Sequence, residues 1–197
     1  TDLVGATQST LAIPNLQAAT AGSYTAAVSN ATGATLSAPA VLTLGAPPPI
    51  TFTFSTLAGS ATAVGRVDAA GTAARFDHPT GLTLDAAGNL YTIDGVSNFI
   101  RKITPAGVVT TLTSQVGLGL AADSAGNLYV ADGRSRIVRV AGDGVGTSFA
   151  GTTTPGSTDG PAASAQFDTP SGVARDRAGN VFVADTNNRT IRRITPA

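Results

Sequence analysis

Apolar and polar positions in this chain alternate in short runs, and one arrangement of those runs occurs three times. Gly81-Leu-Thr-Leu-Asp-Ala-Ala-Gly-Asn-Leu-Tyr-Thr-Ile-Asp94 returns as Gly119-Leu-Ala-Ala-Asp-Ser-Ala-Gly-Asn-Leu-Tyr-Val-Ala-Asp132 and as Gly172-Val-Ala-Arg-Asp-Arg-Ala-Gly-Asn-Val-Phe-Val-Ala-Asp185. Each copy is two apolar runs around a turn, followed by a basic-apolar run. The pattern predicts strands a (81–85), b (89–93), c (99–103) and d (107–112) in unit one. In unit two they fall at 119–123, 127–131, 136–140 and 145–149, and in unit three at 172–176, 180–184 and 190–194 with no strand d.

Four short antiparallel strands per unit, repeated in tandem, are the pattern of propeller blades. Strand b supports this most directly. Leu90/Thr92, Leu128/Val130 and Val181/Val183 point one way, and Tyr91/Ile93, Tyr129/Ala131 and Phe182/Ala184 the other. Two apolar faces are what a sheet buried between two sheets requires. Strand c mixes isoleucine and arginine, as in Ile100-Arg-Lys-Ile103 and Ile191-Arg-Arg-Ile194, and reads as a half-exposed outer strand.

Upstream the pattern changes. Thr51-Phe-Thr-Phe-Ser-Thr-Leu57 alternates strictly and predicts one further strand, matching strand d of the later units. Gly45-Ala-Pro-Pro-Pro-Ile50 locks φ and removes donors, so 45–50 is expected to be a semi-rigid linker between domains. Residues 1–44 predict three strands, 9–13, 23–29 and 38–44, with turns at Ala21-Gly22 and Asn30–Gly33. Two matching inserts precede strand a: Gly65–Pro79 in unit one and Gly156–Pro170 in unit three. Asp68 and Asp159 are expected to N-cap a short helical turn, with Phe76 and Phe167 plugging each loop to the sheet. Unit two has no insert.

Composition narrows the chemistry. The 197 residues are 42% hydrophobic and 12% charged, with twelve basic and twelve acidic residues and no Cys, Met or Trp. All twelve acids are Asp, and Lys102 is the only lysine. A core of useful size is affordable, and zero net charge sets up no field toward nucleic acid or anionic lipid. Without cysteine there are no disulfides or thiolate metal sites. No apolar run approaches the roughly 18 residues of a membrane span. The opening at Thr1, in mid-pattern and without Met, predicts a segment of a longer polypeptide.

Ala74-Arg-Phe-x-x-Pro-x-Gly81, the Asp-x-x-Gly-Asn-[Leu/Val]-[Tyr/Phe] motif at 85, 123 and 176, and Asp185-Thr-Asn-Asn-Arg-Thr-Ile-Arg-Arg-Ile194 resemble the NHL-repeat family of β-propellers. The resemblance covers 51–197, with repeats at about 51–103, 104–140 and 141–197. It implies an all-β partial propeller of about three blades out of about six. In the family a strand like 51–57 would complete the last blade. Leu11-x-Ile13, Ala21-Gly22-x-Tyr24 and Val28-Ser29-Asn30 resemble the last strands of a bacterial immunoglobulin-like domain over 1–44. Tyr24 stands at its tyrosine corner, and Ala26 stands where a disulfide cysteine would be.

Antiparallel order puts the b–c and d–a loops at one end of the blades. That end carries the candidate ligand-binding residues Asp94, Asn98, Asp132, Arg134, Arg136, Asp185, Asn187, Asn188 and Arg189. Each Asp could equally serve its own loop backbone, which is the commoner use of such a residue. The Asp-x-x-Gly-Asn turns carry too few oxygens at cation spacing to hold calcium. His78, the single histidine, leaves no triad and no His-rich metal site. No catalytic residue, metal or cofactor is therefore expected.

The reading is a non-enzymatic binding or scaffold segment of a larger bacterial protein, extracellular or at the cell surface. Its partners would be a protein or carbohydrate ligand, not nucleic acid, together with the remaining blades and immunoglobulin-like strands of the longer chain. The alternative is part of a six-bladed hydrolase or lyase, lactonase-like, whose site other blades complete.

Overall fold

The computed structural model describes residues 21–43, 50–95 and 98–196. The chain divides into two compact units, Thr1–Thr53 and Phe54–Ala197. The expected strand at 9–13 and all but Ile50 of the linker lie outside the described residues.

In the first unit the described residues form two ladders. β1 (Gly22–Tyr24) pairs antiparallel with β4 (Ala40–Leu42), and β2 (Ala27–Asn30) pairs with β3 (Gly33–Leu36). The Asn30 Oδ1 accepts from the Thr32 amide at 2.9 Å and the Thr32 hydroxyl at 2.7 Å, which fixes the tight β2–β3 turn. The expected single strand 23–29 is thus two strands. Between them the Ala26 amide donates to the Ser37 hydroxyl at 2.9 Å and the Ser37 amide to the Ala26 carbonyl at 2.8 Å. Residues 33–36, read as a connection, are the partner strand of the hairpin. Val28, Leu36 and Val41 stay 67–71% exposed, and the hydrophobic clusters of the described residues all lie in the second unit.

The second unit is a partial β-propeller of three antiparallel sheets. Blade one runs β5 (Pro79–Leu84), β6 (Leu90–Asp94), β7 (Phe99–Ile103) and β8 (Val109–Thr113) as a meander. Blade two repeats it with β9 (Gly119–Ala122), β10 (Leu128–Ala131), β11 (Ile137–Val140) and β12 (Gly146–Ala150). Blade three has β13 (Pro170–Arg175), β14 (Val181–Asp185) and β15 (Thr190–Ile194). Strands β5, β9 and β13 lie side by side and make the inner edge.

The two faces of strand b do what their alternation predicts. Tyr91, Ile93 and Ile100 of blade one pack on Leu120, Leu128, Val130, Val138 and Val140 of blade two. Tyr129, Ala131 and Ile137 of blade two pack on Phe167, Val181 and Val183 of blade three. Most of these side chains are fully buried, each worth about 1.5–3 kcal/mol relative to exposure. Blade stacking is the dominant stabilisation.

Three expectations need correction. Residues 51–57 form no strand: no ladder among the described residues takes them up, and Phe52 and Phe54 are 79% and 97% exposed. An alternating run becomes a strand only where a neighbour pairs its backbone groups. Strand c is not half-exposed in blades one and two, because strand d covers its outer edge. Ile100, Arg101 and Ile137 are fully buried there, and only β15, with no outer neighbour among the described residues, fits the expectation. The inserts are not Asp-capped helical turns either. The first holds a short 3-10 turn, Gly71–Ala73, whose N-cap is Ala70 with no side-chain bond, and the second a turn at 162–164 closed on the Pro161 carbonyl.

Candidate functional site

The strand order brings the b–c loops and the d–a inserts to one end of the blades, and hydrogen bonds join them there. The Gly95 amide donates to the His78 carbonyl at 3.1 Å, the Thr169 amide to the Arg134 carbonyl at 2.7 Å, and the Asn187 amide to the Asp168 carbonyl at 3.1 Å.

The three Asp residues that end strand b are buried: Asp94 and Asp185 fully, Asp132 to 5% exposure. Asp132 serves its own loop. Its Oδ1 accepts from the amides of Arg134, Ser135 and Arg136 at 2.9–3.0 Å, and its Oδ2 from Arg136 Nε at 3.1 Å. Asp94 and Asp185 reach across to the inserts instead. Asp94 Oδ1 accepts from the Asp77 amide at 2.6 Å, and Asp185 Oδ1 from the Asp168 amide at 2.8 Å.

Their second oxygens meet a residue that the sequence reading passed over. Arg101 Nη1 donates to Asp94 Oδ2 and to the Arg75 carbonyl, both at 3.1 Å. Its Nη2 donates to Asp68 Oδ1 at 2.7 Å and to the Val67 carbonyl at 3.1 Å. Arg192 repeats the arrangement in blade three. Nη1 reaches Asp185 Oδ2 and the Gln166 carbonyl at 3.0 Å, and Nη2 reaches Asp159 Oδ1 at 2.5 Å and the Thr158 carbonyl at 3.2 Å. Each guanidinium also lies 5.1 Å from the ring of its insert's phenylalanine, Phe76 or Phe167.

So the inserts are straps, each latched to its blade by one arginine between two carboxylates. Asp68 also ties strand d, accepting from the Thr111 amide at 2.8 Å and hydroxyl at 2.9 Å. Burial pushes the Asp68 carboxyl up, but Thr111 and the Arg101 guanidinium outweigh it and hold the group below the ordinary value.

Blade two has neither strap nor latch. The ladder places Val138 opposite Val130, where Arg101 stands opposite Thr92 and Arg192 opposite Val183. The signal was in the spacing. Asp68 to Arg101 and Asp159 to Arg192 are both separations of 33, and Asp94 to Arg101 and Asp185 to Arg192 are both separations of seven.

The remaining candidates divide by exposure. Asn98, Arg134, Asn187 and Arg189 are exposed, and Arg136 and Asn188 are half-buried. Asn98 and Arg189 hold φ of 54° and 58°, as the tight b–c turns require. Asn187 Nδ2 donates to Asp168 Oδ1 at 3.1 Å and to the Thr169 hydroxyl at 2.9 Å, and Asn188 Nδ2 to Asp185 Oδ2 and the Gly156 carbonyl at 2.8 Å. Asp185, Asn187 and Asn188 thus belong to one network, whereas Asn98 stands apart from it. Among the described residues no three His, Cys, Asp or Glu side chains gather as a metal cluster. No helix of the described residues is long and apolar enough to cross a membrane.

A family model for the NHL repeat matches residues 167–194, from the strap phenylalanine through the latch arginine to the end of β15. The chain carries an NHL repeat. No curated protein matches it in sequence. Solved structures that resemble this chain include a streptogramin B lyase, 16% identical, with 61% of this chain and 41% of that one covered at a TM-score of 0.46. Others are a virginiamycin B lyase from Staphylococcus aureus (17% identical, 64% and 44% covered, TM-score 0.44) and a gluconolactonase from Xanthomonas campestris (22% identical, 56% and 35% covered, TM-score 0.42). The chain spans about two-fifths of the length of these structures.

Proposed function

We propose that this chain is a non-enzymatic binding or scaffold segment of a larger bacterial protein, secreted or at the cell surface. Its ligand, a protein or a carbohydrate, would meet the end of the blades formed by the b–c loops and straps. The observation that carries this reading is the duplicated latch. Two surface straps are each held by one arginine between two carboxylates, Arg101 fully buried and Arg192 half-buried, which gives a preorganised loop face on a rigid scaffold. Asp94, Asp132 and Asp185 hold that face from beneath, so contact falls to the exposed Asn98, Arg134, Asn187 and Arg189. The immunoglobulin-like character of 1–44 belongs to the same proposal and rests on the motifs around Tyr24. It fits a protein built of tandem modules.

A glycan array and a peptide library probed with the whole chain test the reading. Binding should fall at least about tenfold, or about 1.4 kcal/mol, when Arg134 and Arg189 are changed to Ala together, with an unchanged melting temperature. Undiminished binding by that variant would move the site elsewhere. Hydrolysis of lactones or esters that depends on the same residues would replace binding with catalysis.

A further inference from the structure

Asparagine followed two residues later by Ser or Thr, with no proline between, is the acceptor pattern for N-linked glycans. The chain holds it twice, as Asn30-Ala-Thr32 in the first unit and Asn188-Arg-Thr190 in blade three. The carboxamide nitrogen is the nucleophile of that reaction. Each site is therefore decided by where Nδ2 stands and what holds it.

Asn30 closes a hairpin. It ends β2, its ladder partner is Gly33, and Ala31 and Thr32 are the two residues of the turn between them. All four residues are exposed. Any further strand would pair with backbone groups along the edges of this ladder and leave its tip in solvent. The side-chain oxygen is already committed, since Oδ1 accepts from the Thr32 amide at 2.9 Å and the Thr32 hydroxyl at 2.7 Å. The hydroxyl that completes the pattern thus lies against the carboxamide it marks. Nδ2 makes no hydrogen bond among the described residues.

Asn188 is the opposite case. It is half-buried in the second strap's network, and its Nδ2 donates to Asp185 Oδ2 and to the Gly156 carbonyl, both at 2.8 Å. Both amide hydrogens are used. Withdrawing them would also take a partner from the fully buried Asp185.

We propose that Asn30 is an N-glycosylation acceptor and that Asn188, with the same pattern, is not. The co-substrate is a sugar activated at C1 by a phosphate leaving group, such as a nucleoside diphosphate sugar. Nδ2 attacks C1, and the N–C1 bond forms as the bond from C1 to the phosphate oxygen breaks. The electron pair leaves on the nucleoside diphosphate, and Nδ2 gives one proton to the base of the transferase. A bulky, solubilising glycan on a hairpin tip suits the surface location proposed above. The acceptor chemistry does not depend on the loop face of the propeller, so either reading can fail without the other.

The test is incubation of the folded whole chain with UDP-glucose and an N-glycosyltransferase that reads this pattern, followed by peptide mass spectrometry. Trypsin separates the sites, because Arg66 is the first basic residue and Asn188 falls in Ala178–Arg189. One hexose per chain should appear, on the peptide 1–66. Transfer to Asn188 should be at least about tenfold slower, since its nitrogen must first lose two hydrogen bonds by local opening. Asn30→Gln and Thr32→Ala should each abolish the hexose, and Thr32→Ser should keep it. Unfolded synthetic peptides spanning 27–34 and 185–193 should both accept. A folded chain that takes no hexose at Asn30, or takes it equally at both asparagines, overturns the proposal. So does a 185–193 peptide as inert as the folded site, because the fold would then not be what protects Asn188.

Discussion

Asp85 is the most heavily bonded carboxylate of the a–b turns. Its Oδ1 accepts from the Ala87 and Asn89 amides at 2.9 Å, and its Oδ2 from Asn89 Nδ2 at 2.8 Å and the Tyr91 hydroxyl at 3.0 Å. Burial pushes this carboxyl up, but Asn89, Tyr91 and Ala87 together outweigh it and leave it below the ordinary value. Asp123 is lowered in the same way, against its burial, by Asn127, Ala125 and the nearby charge of Arg175. Asp176 is lowered chiefly by the Asn180 side chain. A carboxylate with a depressed folded pKa adds stability that is present above its unfolded value and disappears as pH falls. The melting temperature should therefore drop as pH is taken from about 5 to about 3, around the unfolded Asp value. Asp85→Asn with Asp123→Asn should flatten that slope, and an unchanged slope would refute the assignment. Tyr91 reports from the alkaline side: burial first, then Asp85, raise it to about 12. A raised folded pKa adds stability that is intact below about pH 10 and lost as pH rises through about 12. Ultraviolet titration should find a tyrosine step near pH 12, and Tyr91→Phe should remove it.

At the scale of the element, the strap decides what an arginine in strand c does. Arg101 is fully buried and meets a fully buried Asp94, so removing one partner strands the other charge. Arg101→Ala should cost about 3–5 kcal/mol in chemical denaturation. Arg193→Ala, an exposed position of the equivalent strand, should stay within about 0.5 kcal/mol. Replacing Asp94 by Asn and Arg101 by Leu together should recover part of the loss, since most of it is unpaired charge. Val138 is the natural case of an apolar residue in that seat, in the blade without a strap. The same element marks how far the sequence could be read. Strands a, b and c in all three repeats and d in the first two were legible because period-two alternation and the turn residues are local signals, and the structure shifts their ends by only a residue or two. The shared end of the loops was legible from antiparallel order alone. The latch was not, since it joins positions 33 apart that meet only once the strap folds over strand c. An arginine between isoleucines looks solvent-facing until that cover is known. Thr51–Leu57 erred in the opposite direction, as a strong local signal with no ladder to join.

At the scale of the molecule, stability is a sum over blade joints, and how closely the joints fit is set at their inner edge. There β9 and β13 approach so closely that a Cβ on Gly119 would lie 2.3 Å from the Ser171 carbonyl and 3.0 Å from Gly172 Cα. Backbone cannot yield as a flexible side chain can, so the sheets would have to separate. Separation would strip contact from Tyr129, Val181 and Val183, which fill the joint. Gly119→Ala should therefore cost about 1–3 kcal/mol, the range for overpacking. Gly172→Ala has ordinary contact distance to Ala184 and no second sheet behind it among the described residues, so it should cost much less. Chemical denaturation of the two variants separates these outcomes. Equal losses would mean that the glycines serve the conformation of their own strands. A loss confined to Gly119 would make the joint between blades, repeated along the chain, the unit that holds this molecule together.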